Sequence, residues 1–556
     1  VIQNITSKLT FRVASAALML FGGNLLGQKH VDLGEIHGNF EIDAQTYKAD
    51  SLIGAPEFPE KIGNNSFMNL LYTRGKFESG VRFESYYPTL QGFTRERGAG
   101  IPYRYARYRN EKFDVTAGTF YEQFGSGMVL RAYEAWGLGF DNSLDGVRVK
   151  SEPVKGVYLT GLIGRQRNAY SNKVENLSEG IVRGFDAEWS INDSFDSLMT
   201  AKTRIKIGGS FVSRFQKDED PVQIIPENVA AFAGRASINR SGFSLSGEYA
   251  YKYNDPSTVN NLIYKNGTGL LVQASYARKG LGVSAQVKRI DNMDYRSDRN
   301  GTFNNLTLNF LPPQTRQHSY RLPTLFPWAS QPMGEWGMQA ELSYNFKKDT
   351  WLGGAHGMNL SVNFSRINAL SKTPTLDPSD GYTAPFFPLL DSVLFQDINI
   401  ELTKKFSSKF KATFSYLHFD YDQSLFKQLT GFTSSTDVSA EVQVLDMSYK
   451  LRKKHTLRME FQHCYTKQEF GSWAMVLAEY TIAPHFFIAV FDEYNYGNAE
   501  VNKRLHYFSG LGGVNWNNYR FQIGYGRQRA GVLCVGGVCR VVPASNGISV
   551  AITGSF

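Results

Sequence analysis

Nowhere beyond its first thirty positions does this chain of 556 residues carry an apolar run approaching about 18 residues, the length a helix needs to cross ~30 Å of hydrocarbon. Helical membrane spans are therefore excluded. Helical periodicity is also scarce, since apolar residues at i, i+3 and i+4 are hard to find past residue 28. Cysteine occurs only three times, which allows at most one intramolecular disulfide and excludes a small disulfide-stapled scaffold. No run of Lys and Arg forms a nucleic-acid patch, so the net charge of +9 points to no nucleic-acid partner. Catalytic signatures are missing as well. There is no GxSxG, HExxH or P-loop, and the Gly125-Ser126-Gly127 stretch lacks a βαβ context. His418 and His463 fall on strand-like segments with no matching serine or acid close in sequence. Together these absences predict a protein that is not an enzyme and has no cofactor or metal.

What is present begins with the first 28 residues. Lys8 and Arg12 precede an apolar stretch from Val13 to Phe21, then small residues and a glutamine. That order predicts a secretory signal peptide over 1–27, cut between Gly27 and Gln28, and the apolar part is too short for a membrane anchor. The remaining 28–556 would form one unit. Aromatics at 14%, with 30 Tyr, 40 Phe and 52 Gly, suit strands that are apolar on one face and carry aromatic girdles.

Alternation with period two recurs through most of the chain. In "FSLSGEYAYKY", Phe243, Leu245, Tyr249, Tyr251 and Tyr253 share one face, with Ser244, Ser246, Glu248 and Lys252 on the other. In "HTLRMEFQHCYT", Leu457, Met459, Phe461 and Tyr465 oppose Arg458, Glu460, Gln462 and Cys464. A soluble sandwich would alternate too, so the connections must arbitrate. Long and short gaps alternate, with a few of medium length blurring the contrast, the short ones carrying Asn517-Asn518, Ser241-Gly242, Lys279-Gly280, Asn110-Glu111 and Arg74-Gly75. Short turns on one side and long loops on the other are what a membrane barrel requires. The reading is an all-β fold, a single large transmembrane antiparallel barrel of about 24 strands (range about 20–26), with both termini periplasmic and the barrel in the outer membrane.

The chain ends on "GISVAITGSF", where Ile548, Val550, Ile552 and Phe556 share one face while Ser549, Thr553 and Ser555 share the other. A strand carried to the last residue needs both edges paired, as in a closed barrel. This ending resembles that of outer-membrane barrels, in which the terminal aromatic is read as a signal by the barrel assembly machinery. The Gly-Gln processing site, the final Phe and the "GVLCVGGVCRVVP" hairpin together resemble outer-membrane barrels of the Bacteroidota, including families with no assigned activity. In that hairpin a two-residue Gly-Gly turn sets Cys534 opposite Cys539, which predicts a disulfide; the alternative is two free small hydrophobes. CxxxxC alone is a poor zinc motif, and Cys464 is left over.

Two connections stand out. Residues 121–149, "YEQFGSGMVLRAYEAWGLGFDNSLDGVRV", fall at the third long loop, the position at which porins fold a segment into their lumen. Their glycines permit sharp bends, and Glu122, Arg131, Glu134, Asp141, Asp145 and Arg148 supply charge of both signs for a lumen constriction. The same residues could instead be salt bridges stiffening the wall. The 291–333 segment holds Pro312, Pro313, Pro323, Pro327 and Pro332 beside Arg316, Tyr320, Arg321, Phe326 and Trp328, which suits an ordered lid, a partner surface or a variable surface loop. Segment 370–395 is also apolar for an exposed loop. A plug domain of the kind energy-coupled receptors carry is not expected, because the first strand is predicted to begin within a few residues of the expected cleavage site. The expected function is a porin-like channel for passive passage of polar or ionic solutes, embedded in outer-membrane lipid. The alternative is a scaffold or gate barrel serving surface or periplasmic export proteins.

Overall fold

The computed structural model describes residues 33–93, 97–168, 176–302, 304–387, 392–422, 437–535 and 538–556. The expected signal peptide, 1–27, lies outside the described residues. Within them, 24 antiparallel strands form one sheet that closes on itself. Each strand pairs with the next in sequence, and the first, Glu35–Thr46, pairs with the last, Ser545–Ser555, placing Ile42 opposite Ile552. Closure leaves no unpaired edge in the wall.

The tight turns sit where the sequence marks them. Asn517 has φ +51°, and Ser241 and Gly242 have φ +47° and +88°, so both central residues of that two-residue loop lie in the left-handed region a hairpin of this hand demands. The opposite end of the barrel carries the long connections. Strand alternation separates two surfaces as expected. Along His455–Thr466, Phe461 and Tyr465 are 42% and 47% exposed on the outside, while Glu460 and Gln462 are 4% and 3% exposed within. Ile163, Phe185, Ile207 and Phe232 continue the outer apolar belt on neighbouring strands.

The interior is not an empty tube. At the long-loop end the inner wall turns apolar, with Val182, Val212, Ala231 and Leu271 buried, and two long connections pack against it. A second apolar zone, with Leu417, Phe419, Val442 and Met475, lines strands on the other side of the barrel. The hairpin of Gly531–Val535 and Val538–Val542 pairs Cys534 directly opposite Cys539 along its backbone. The side chains of those two residues lie outside the described set.

Candidate functional site

The 121–143 connection turns into the lumen. Phe124, Met128, Val129 and Leu130 are fully buried against the inner wall, and each such apolar side chain stabilises the inward position by about 1.5–3 kcal/mol. Gly125 and Gly127, at φ +53° and +99°, make the bends that aim these side chains at the wall. The start of the 292–333 segment docks on top: the Arg131 backbone N–H donates to the Leu308 carbonyl at 2.8 Å, and that of Phe310 to the Gly127 carbonyl at 2.9 Å. Asn142 Nδ2 reaches the Thr307 carbonyl at 3.0 Å. The two connections form one plug.

Charged side chains hold the plug to the wall. Arg82 and Glu84 are two apart on the strand Phe77–Tyr86, so alternation points both inward. Arg82 contacts Glu134 Oε2 and Asp141 Oδ2 on the plug, each at 2.5 Å, and Glu84 Oε1 at 2.6 Å. Arg167, at the end of its own strand, bridges Glu84 at 2.6 Å and Asp141 at 2.5 Å. Tyr86 donates to Glu84 at 2.9 Å and Tyr121 to Glu134 at 2.7 Å, while the Arg82 guanidinium lies 4.7 Å over the Trp136 ring. Burial alone would raise the Asp141 carboxyl; Arg167 and Arg82 outweigh it and hold the group below the usual carboxylate range. Burial raises the Tyr121 hydroxyl well above its ordinary value, so it remains a donor.

Of the six charges expected to line a constriction, five lie inside. Glu134 and Asp141 join the Arg82 network. Arg148 reaches Glu122 Oε2 at 3.3 Å and the Tyr121 carbonyl at 3.0 Å, and Lys150 meets Glu122 at 2.6 Å. Arg131 lies inside but does not face acids. Its guanidinium sits 4.3 Å over Tyr133 and 4.0 Å over Phe310, and among the described residues it makes no ion pair. Asp145 is on the other side of the wall: it shares the outer face with Val147 and Val149 and pairs with Arg104 at 3.4 Å. The odd spacing between 145 and 148 forces this, because alternation sends the two to opposite faces.

The rest of the 292–333 segment also enters the barrel, instead of standing above it as a lid or surface loop. Leu322, Phe326 and Trp328 are buried against Leu417, Phe419 and Val442, apolar wall positions that match these side chains. Lys288 and Glu335, both fully buried, pair at 2.6 Å where the segment leaves and rejoins the wall; Lys288 also contacts the Pro312 carbonyl and Ser330 Oγ. Arg316 reaches Glu401 at 3.4 Å. The 370–395 connection stays outside in part, with Leu376 and Phe387 exposed. Beneath the plug the lumen opens into a cavity of about 740 Å³, lined by Asn69, Arg82, Tyr103, Tyr121 and Glu134 and reaching Ser555 near the opposite rim. Among the described residues no group of three or more His, Cys, Asp or Glu is placed to hold a metal ion.

A closed antiparallel wall, apolar outside and filled from one end by its own connections, defines the class: a large transmembrane β-barrel. The chain belongs to DUF6029, a family of unknown function, whose model matches residues 6–556. No curated protein matches the sequence. Among solved structures it is similar to the translocation pore of the P pilus usher PapC, at 9% identity and a TM-score of 0.46, covering 93% of this chain and 99% of that one. The siderophore receptor PirA of Pseudomonas aeruginosa is similar at 10% identity and a TM-score of 0.41, over 94% of this chain and 80% of that one. OpdQ of Pseudomonas aeruginosa matches at 11% identity and a TM-score of 0.32, over 83% and 96%.

Proposed function

We propose that the protein is an outer-membrane channel for passive passage of polar or ionic solutes, narrowed by its own 121–143 and 292–333 connections. The observation that carries this reading is the inverted polarity of the wall. An apolar outer belt encloses a lumen with inward-facing ions and amides and a cavity of about 740 Å³. In this reading residues 1–27 direct export, 28–556 form the barrel, both termini face the periplasm, and assembly machinery reads Phe556. Glu122 with Arg148, and Arg82 with Glu134 and Asp141, set opposite charges close together in a confined space, which orients solutes and selects ions. Nothing in this role calls for catalysis.

The test is conductance of the purified protein in planar bilayers. Discrete, voltage-independent current steps support the channel. A protein that shows the heat-modifiable mobility of a folded barrel yet never conducts overturns it.

A second reading draws on the extent of plug packing. Two buried apolar clusters fill the long-loop end, as a gate held shut until a partner docks would require. In that role the barrel serves an export assembly and surface or periplasmic proteins co-purify with it. Silence in bilayers together with such a co-purifying protein favours the gate.

A further inference from the structure

The inner wall changes character around its circumference. Over the strands Leu177–Ser190 and Asn228–Arg240 it carries ion pairs, such as Arg235 with Asp186 at 2.7 Å. From the strand Gly267–Arg278 onward, neutral amides form a row. Gln273 Nε2 donates to Gln286 Oε1 at 2.9 Å, Gln286 donates in turn to Gln339, Gln339 to Asn363 at 2.8 Å, and Asn363 to Asp397 at 3.0 Å. Strand register sets Gln273 opposite Gln286 and Gln286 opposite Gln339, so these three run straight across the wall, and the links to Asn363 and Asp397 are diagonal. Its far end is capped by His318, 3.0 Å from the second oxygen of Asp397.

Every link points the same way. A primary amide has two N–H groups and two acceptor lone pairs, and the row spends one of each on its neighbours. Gln286 and Gln339 therefore each keep one donor and one acceptor for the lumen, at the ~4.8 Å spacing of adjacent strands. Ser244, Ser246, Ser275 and Ser284 extend the same surface, and the concave wall they form with the glutamines encloses about 310 Å³. Small-molecule sites run from about 300 to about 1,000 Å³. Glu341 is the single ionisable side chain on that lining. Just above, the fully buried Gln314 of the plug lies over Gly337, two residues from Gln339 on the same strand. Neither end of its amide has a hydrogen-bond partner among the described residues. A buried amide without partners is unfavourable, which marks the plug–wall seam beside the row as polar and unsatisfied.

We propose that this sector is a binding subsite for an uncharged, polyhydroxylated solute of mono- or disaccharide size. The proposal rests on the channel reading and names its solute class. Hydroxyl groups donate and accept together, which matches a lining of amides and serine hydroxyls that offers both. An anion has no fixed cation here to offset the loss of its water, and a desolvated charge without a partner is strongly disfavoured.

The experiment uses purified full-length protein in planar bilayers with maltose and gluconate as probes. Maltose is expected to interrupt the ion current in a concentration-dependent way that gluconate does not reproduce. The Gln286→Leu/Gln339→Leu variant is expected to raise the half-blocking maltose concentration at least tenfold. Where that variant does not fold, the single change Gln339→Ala carries the same comparison with a smaller rise. A conducting parent that is indifferent to maltose, equal block by gluconate, or unchanged block in the variants overturns the subsite. If the parent never conducts, the channel reading falls instead. The subsite is then decided by equilibrium binding of radiolabelled maltose to the detergent-solubilised barrel: retention that Gln286→Leu/Gln339→Leu abolishes supports it, and absence of binding overturns it.

Discussion

The carbonyl oxygen of Ser297 lies 1.8 Å from the point a Cβ on Gly180 would occupy. Gly180 faces inward from the strand Leu177–Ser190, and Ser297 belongs to the plug, where its hydroxyl also donates to Gln166 Oε1 at 2.6 Å. Only glycine admits this approach of plug backbone to wall.

Gly180→Val is therefore expected to push the 292–333 segment off the wall, at a cost of about 1–3 kcal/mol for the overpacked contact. Strand content by circular dichroism should be unchanged. Single-channel conductance should rise, and protease should cut within 292–333 where it spares the parent. A variant that conducts and resists protease like the parent would mean the plug does not depend on this contact.

The Arg82, Glu84, Asp141 and Arg167 cluster predicts a particular pH response. Burial works against the Asp141 carboxylate, but Arg167 and Arg82 hold its pKa below the usual range. A depressed carboxylate contributes stability above its unfolded pKa of about 3.9, and that contribution is lost as pH falls through the folded value. Protease resistance of 121–143 is expected to stay flat from about pH 8 to about pH 5 and to fall only in stronger acid. Asp141→Asn should remove much of this acid-side response and lower denaturant stability by about 1–3 kcal/mol at neutral pH, since two buried guanidiniums lose a shared partner but keep Glu84.

Topology is testable by tagging. Epitopes after Val222, Leu376 and Glu500, on long connections, should label on intact cells. Epitopes after Gly242, Ser408 and Asn518, in tight turns, should label only after the outer membrane is permeabilised. Labelling of Ser408 from outside would invert the barrel.

The cysteines make a separate case. Cys464 is fully buried in the apolar cluster beneath Leu322, and the backbone of the hairpin sets Cys534 across from Cys539. Alkylation of the native protein should modify no cysteine. After denaturation without reductant it should reach Cys464 alone, and all three only once reductant is added. Mass spectrometry showing two further labelled thiols before reduction would rule out the disulfide.

The wall was legible in the sequence because each of its signals is local. Period-two alternation and residues such as Ser241-Gly242 act within one strand or one turn, and they place all 24 strands with the observed short and long connections. What fills the wall was only partly legible. The glycines and charges of 121–149 marked the segment as unusual, but not its partners. Arg82 and Arg167 lie on separate wall strands on either side of the segment and read as ordinary inward charges. The spacing of Arg82 and Glu84 was the available sign, two charges on one inward face. Arg131, expected as one of the constriction charges, does lie inside; its seat over the aromatic faces of Tyr133 and Phe310, the latter on another loop, had no sign in the local sequence. Asp145 could have been assigned to the outside by carrying the alternation two residues further.

The 292–333 segment begins and ends on strands that are hydrogen-bonded to each other, with Asp291 directly opposite Gly334. Its two ends are therefore pinned side by side, and it cannot be expelled from the barrel like a separate stopper. Any opening is a swing about one hinge point, with return governed by an intramolecular equilibrium and independent of protein concentration. Sequence changes that lengthen the loop cost little in closure entropy, about 0.6 kcal/mol for each doubling. The depth to which it fills the lumen can therefore drift between relatives while the wall stays the same.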